Sequence, residues 1–189
     1  MAVPKFRGVL LCEDLEHERF FRRLLETRWF GRGKLRVLRI PNRQGAGDAF
    51  VLERYAAEVQ HARSKRGERY VLVVAIDGDR EKVRGRLEQL DRKLEQAGLS
   101  RRVQDEPVIV FVPTRNIETW ELWLCGDHEV DEEADLKLDF RDAERRGEAS
   151  AKQAVTAWFR SLSEAERQRE EANLPSLAAG RREIRRLDR

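Results

Sequence analysis

The chain has only two cysteines, no apolar run near the length of a membrane span and only a small surplus of one charge over the other. Neither Cys12, inside an apolar run, nor Cys125, at the end of an aromatic stretch, belongs to a CxxC pair, so a zinc site of the usual spacing is not indicated and both are expected as buried thiols. The opening residues `MAVPKFRGVLLCEDLE` lack the apolar core and small-residue cleavage site of a secretion signal, and nothing approaches the roughly 20 apolar residues of a bilayer span. A cytoplasmic protein that does not contact membranes is expected. No internal repeat is evident. The 38 basic residues nearly cancel the 35 acidic ones, leaving +3, so overall balance says little about a polyanionic partner and the distribution of charge must decide. Arginine outnumbers lysine, which suits bidentate phosphate contacts but equally fits a bias in genomic base composition.

What is present is a heavily charged chain, 39% charged against 40% hydrophobic, whose apolar residues fall in short blocks. At 189 residues it has room for one domain and a small appendage. `VLLC` at 9–12 runs into `EDLEHERFFRRLLETRWF`, where Leu15, Phe20, Phe21, Leu24 and Leu25 recur at helical spacing. `LRVLRIP` reads as a half-exposed strand, followed by the loop `NRQGAGD` and a helix from Ala49 that Asp48 is placed to cap. `YVLVVAI` at 70–76 is apolar throughout, as in a strand covered on both faces. The helix after it carries Val83, Leu87, Leu90 and Leu94 on one face and ends at Gly98. `VIVFVP` at 108–113 is the next strand, with `RNIETWELWLC` a short aromatic helix beyond it. Four successive strand-then-helix units predict an α/β fold, Rossmann-like, with a mostly parallel sheet of about four strands and helices on both faces. Residues 126–148 are acidic and weakly apolar and read as a surface insertion or loop. Further helices then close the chain, so that 1–125 forms the core and 126–189 packs on the same domain.

In such sheets ligands bind beyond the carboxyl ends of the strands, and that is where the carboxylates fall. Glu13 follows the first strand, Asp77 and Asp79 follow the central one, and Glu118 lies on the first turn of the helix after the fourth. Carboxylates gathered without compensation repel and raise one another's pKa. A divalent cation removes the conflict, and oxygen-only ligation suits Mg²⁺ or Mn²⁺ rather than zinc. Gly78 allows metal and phosphate to approach the backbone of the turn.

A glutamate after strand one, DxD after the central strand and a later glutamate together resemble the TOPRIM domain, and most nearly the small stand-alone TOPRIM-like proteins of the OLD-nuclease type. `CEDLEHERFF` is similar to the family's V-E-G-x-T-E-x-x-F segment with Glu13 matched, `IDGD` carries the DxD, and `PTRNIETWELW` is similar to its P-x-x-x-I-E-x-W segment with Glu118. The first segment departs from the family in having Asp14 for glycine and His17 four positions after Glu13, so that either His17 or Glu18 stands for the second acidic ligand. The resemblance implies a TOPRIM fold and a Mg²⁺- or Mn²⁺-dependent nuclease acting on nucleic acid, with DNA favoured over RNA. Glu13, Asp77, Asp79 and Lys152 would be catalytic, and Glu13, Asp77, Asp79, Glu118, His17 and Glu18 the candidate metal ligands. It also implies work beside a partner ATPase in anti-phage defence, with self-association open. Topoisomerase chemistry would need a nucleophilic tyrosine from a further domain, and only Tyr55 and Tyr70 exist. The rival expectation is a non-catalytic interaction or toxin subunit of a larger assembly.

The remaining candidates each carry a bland alternative. Lys152 either stabilises charge on phosphate or is a solvated helix residue. Arg80 and Arg115 are candidate nucleic-acid contacts, though Arg115 is as well placed to pair with the acidic residues. The loop `RQGAGD` lacks the Walker A lysine and reads as a flexible, capped loop. Trp120 and Trp123 read as core, and `RREIRRLDR` as either a backbone contact or a charged helix face.

Overall fold

The computed structural model describes residues 5–39 and 47–188. Four strands, β1 (Phe6–Cys12), β2 (Phe30–Leu38), β3 (Tyr70–Ala75) and β4 (Val108–Phe111), form one sheet in the order β2-β1-β3-β4, and every pairing is parallel. The helices are α1 (Leu15–Arg28), α2 (Gly47–Ser64), α3 (Lys82–Gln96), α4 (Ile117–Leu124), α5 (Lys137–Arg146), α6 (Ala151–Trp158), α7 (Glu164–Asn173) and α8 (Pro175–Ile184). This is the expected Rossmann-like α/β arrangement.

The period of two along each strand divides the core. From β1 and β3, Leu10, Cys12, Val71, Val73 and Ala75 point to the side packed by α1, α4, α6 and α8, while Val9, Leu11, Leu72 and Val74 point to the side packed by α2 and α3. The first side is aromatic: Phe21 stacks on Phe111 at 4.7 Å between ring centres, and Trp120 stands edge-on to both. Trp120 is fully buried, and its Nε1 donates to Ser176 Oγ at 2.7 Å, satisfying the one polar atom of the ring. Burial pushes the Cys12 thiol up to about 12, as befits a core thiol.

Two sequence expectations change. Strand β2 begins at Phe30 rather than Leu35, and its pairing slips between Phe6↔Phe30 and Gly8↔Leu35, so residues 31–34 leave the ladder. Gly33, at φ +70, makes that excursion possible. The acidic 126–148 segment is not simply a loop. It contains α5, whose Phe140 and Ala143 pack on Leu122 and Ala149, and whose end is closed by Gly147 at φ +75. Its buried Glu132 accepts the Ser176 N–H at 2.9 Å, fixing the segment to the start of α8. The charged 163–173 stretch is α7, opened by a Ser163–Glu166 capping box. The loop `RQGAGD`, up to Ala46, lies outside the described residues. Among those residues no helix is long and apolar enough to cross a membrane.

Candidate active site

With α1 on one face of the sheet and α2 and α3 on the other, the connections leaving β1 and β3 diverge, and a crevice opens between the carboxyl ends of these neighbouring strands. Glu13 leaves β1 there and Asp77 lies just past β3. Both are buried, and Glu13 Oε1 accepts the Asp77 N–H at 2.9 Å. The turn is tight: Gly78 N donates to Pro113 O at 2.8 Å, and a Cβ at Gly78 would lie 2.5 Å from Thr114 O. Only glycine fits between the β3 and β4 loops. Arg86 holds the same turn from below, buried, its Nε donating to Asp77 O at 2.8 Å and its Nη1 to Gln89 Oε1 at 2.6 Å.

Asp14 and His17 explain each other. The Asp14 carboxylate caps α1 by accepting the His17 backbone N–H at 3.1 Å and also accepts Nδ1–H of the His17 ring at 2.9 Å. Those bonds turn Nε2 toward Asp77 Oδ1, 3.0 Å away. The two atoms are close but out of line, so neither gains an aligned hydrogen bond. A neutral ring would set its Nε2 lone pair against the carboxylate. Burial of the ring, which is 0% exposed, disfavours its charge, but the Asp77 charge close by and the bond to and charge of Asp14 outweigh this and raise the His17 pKa well above 6.5. His17 is therefore an internal cation set between two aspartates. Asp14 is held low, because the His17 bonds and charge overcome the cost of its burial.

The neighbouring carboxylates are poorly compensated. Burial, then the Asp77 charge, pushes Glu13 up to about 8. Burial raises Asp77 despite His17, and lifts Glu118 to about 7. Glu121, one helical turn beyond Glu118 and fully buried, is raised well above its usual value by burial and by Glu118, and both its oxygens lack hydrogen bonds. Asp77 Oδ1 and Glu118 Oε2 are likewise buried without an aligned partner.

A second cation comes from the acidic segment. Lys137, half-buried at the start of α5, feels the charges of Asp77, Glu118 and Asp14, which raise its pKa although burial opposes this. The segment is pinned over the crevice by Asn116, whose Nδ2 donates to Asp135 Oδ1 at 3.0 Å.

The structure thus brings together Glu13, His17, Asp77 and Glu118 from the sequence candidates. Asp79 stands apart. It takes φ 47, turns outward and pairs with Arg115 Nη1 at 3.1 Å, so Arg115 binds an acidic residue instead of standing free for phosphate. Glu18 faces Arg39, 2.5 Å from its Nε. Arg80 is exposed beside Asp79 and Arg115 on a cavity of about 370 Å³. Lys152 is exposed on the first turn of α6, along a different cavity. Sequence reasoning missed Arg86, Glu121 and Lys137. Arg86 had a signal, since it lies on the apolar stripe of α3 with Val83 and Leu90. So had Glu121, set among the apolar residues of α4. Lys137 had none, because only the tertiary fold of the acidic segment delivers it.

As a metal centre the group fits in chemistry but is not preassembled. Among the described residues no three His, Cys, Asp or Glu side chains are gathered so as to hold an ion. The orphaned oxygens of Asp77 and Glu118, with Glu13 beside them, are nevertheless the hard donors that Mg²⁺ or Mn²⁺ takes, short of positive charge.

A direct consequence is a fall in stability with rising pH. Glu118 rises from an ordinary 4.5 to about 7, so between those values the native state keeps a proton that the unfolded chain has released, and stability declines as pH climbs through 7. The shift corresponds to about 3 kcal/mol. Denaturant unfolding at pH 5 and pH 8 in EDTA is expected to show this loss, and Glu118→Gln to reduce it. A flat profile would mean that Glu118 is ionised at no cost.

Comparison with known protein families, with curated proteins and with solved structures finds no match for this chain.

Proposed function

We propose that the protein is a Mg²⁺- or Mn²⁺-dependent nuclease of TOPRIM type that hydrolyses phosphodiester bonds in nucleic acid at the crevice between β1 and β3. The observation that supports the reading is that Glu13 and Glu118 each feel the charge of Asp77 beyond the ends of three adjacent strands, with buried Asp77 and Glu118 oxygens that lack partners. Glu13, Asp77 and Glu118 would hold the metal, which when bound would polarise the phosphodiester and activate water.

The chain's own residues supply the rest. Lys137, close enough to feel the charges of Asp77 and Glu118, would neutralise a phosphate oxygen as charge builds. The Asp14–His17 pair holds a proton at Nε2 beside Asp77, fixed in orientation by two bonds from one carboxylate. Arg86 and Gly78 keep the Asp77 backbone in place.

The test is incubation of purified protein with single-stranded and plasmid DNA and with RNA, in Mn²⁺, Mg²⁺ or EDTA. Metal-dependent cutting supports the reading, and cutting that persists in EDTA overturns it. No cutting under any condition favours a binding module without catalysis. Lys137→Ala is expected to lower turnover by about 10²-fold, the scale of one lost donor to a developing oxyanion, while Lys152→Ala leaves the chemical step unchanged under single-turnover conditions at saturating enzyme.

A further inference from the structure

A cavity of about 950 Å³ lies not over the acidic crevice but along the outer face of α1. Its walls carry Arg19, Arg22 and Arg23 of α1, Arg32 of the excursion in β2 and Lys152 of α6. Glu18, Glu26 and Glu144 also line it, and Arg19 and Arg22 spend their charge on local pairs, Arg19 with Glu16 at 2.8 Å and Arg22 with Glu26 at 3.3 Å. Such exposed pairs are weak and exchangeable. Arg23, Arg32 and Lys152 are exposed and make no ion pair or side-chain hydrogen bond among the described residues. Three elements, α1, β2 and α6, therefore bring such cations to one groove.

One end of the groove starts from the first residue of α1, next in the chain to the Asp14 that holds His17. Leu15, 44% exposed and adjacent to the helix-capping Asp14, forms its near end, and Arg32 and Gly33 lie at the far end, beside the last turn of α1. A helix of 14 residues spans about 20 Å at 1.5 Å per residue, and Arg19 to Arg23 covers about 6 Å, comparable with one nucleotide step of an extended strand. Among the described residues no aromatic side chain lines the groove, so stacking of bases is not on offer there and recognition would run through phosphates.

From this we infer that the α1 groove binds the phosphate backbone of a single nucleic-acid strand and leads it to or from the crevice, with Arg23, Arg32 and Lys152 as the principal contacts. The identity of the ligand rests on the nuclease reading, but the binding is separable from cutting. It also gives Lys152 a role in holding nucleic acid rather than in the chemical step.

The experiment is fluorescence anisotropy with a labelled 20-nucleotide oligo-dT in EDTA over a range of salt. The wild-type chain is expected to bind with a steep salt dependence. The triple variant Arg23→Glu, Arg32→Glu, Lys152→Glu is expected to bind on the order of 100-fold more weakly, with a log–log slope shallower by about 2, since each lost single-strand phosphate contact removes about 0.7. The neutral triple variant to alanine should show the same slope change should charge reversal disturb folding, and Arg92→Glu on the opposite face of the sheet should bind as wild type. Unchanged affinity in both triple variants overturns the inference, as does tighter, groove-dependent binding of a duplex, or equal competition by poly-glutamate. Binding without any metal-dependent cutting would defeat the nuclease reading and leave the groove standing, and cutting unaffected by the triple variants would do the reverse.

Discussion

Asp77→Asn is expected to abolish metal-dependent cutting, by about 10³-fold or more, while leaving oligonucleotide binding in EDTA intact. Asp77 is the carboxylate on which the crevice converges. Its backbone is fixed by Glu13 from above and Arg86 from below, and its Oδ1 lies within 3.0 Å of His17 Nε2 without an aligned bond. Asparagine keeps the shape but removes the negative charge, and a lost ligand charge at a phosphoryl-transfer site is worth several kcal/mol of barrier, which is three decades or more in rate.

The fold should tolerate the change. Removing the charge deprives His17 of one partner, yet it relieves Glu13, whose rise to about 8 owes part of its size to the Asp77 carboxylate. The two effects oppose each other, so the melting temperature at neutral pH should move by only a few degrees, and Glu13 should titrate closer to its ordinary value. Single-turnover cleavage and thermal unfolding on the same preparation separate the outcomes. Cutting that survives in Asp77→Asn would remove Asp77 from the site, and collapse of the fold would make it a structural residue.

The strands and the place of the site were readable because both rest on local rules. The continuous apolar run at 70–76 could only be a covered strand, and the acidic residues that follow three of the strands fall at the edge where α/β sheets bind ligands. Asp79 shows where such reasoning stops. In an extended chain, residues 77 and 79 would share a face, and the pair would converge with Glu13. After Gly78 the chain instead turns over, Asp79 adopts φ 47, and its carboxylate is sent out to Arg115. No propensity in `IDGD` announces that turn; it depends on how closely the β4 loop approaches Gly78. Lys137 was hidden for a different reason. Its position depends on Glu132 and Asp135 fastening the acidic segment to Ser176 and Asn116, contacts between residues far apart in sequence. Arg86 and Glu121 were open to detection, since a charge on an apolar helix face is costly unless something in the interior needs it.

His17→Ala should have the largest effect on stability, and the effect should grow with pH. The imidazole is 0% exposed, and it supplies the positive charge nearest to Asp77. Truncation leaves Asp77 and Glu13 facing each other with Lys137 and Arg86 as the remaining sources of positive charge. Breaking a buried pair by removing one partner typically costs about 3–5 kcal/mol. At pH 5 the cost shrinks, because the carboxylates, already raised in the wild type, are protonated in the folded variant and carry no charge to compensate. As pH rises to 8 the folded variant must either keep protons that the unfolded chain has lost or bear uncompensated charge, and both choices lower its stability relative to wild type. The packing lost with the ring, including its stacking on Phe21 at 6.1 Å, contributes a part that does not vary with pH. Urea unfolding of His17→Ala and wild type at pH 5 and pH 8 therefore separates the two contributions. His17→Gln, which retains an N–H able to face Asp77, should recover part of the pH-dependent share. A deficit of equal size at both pH values would mean that His17 serves packing alone and that Asp77 is neutral in the folded protein.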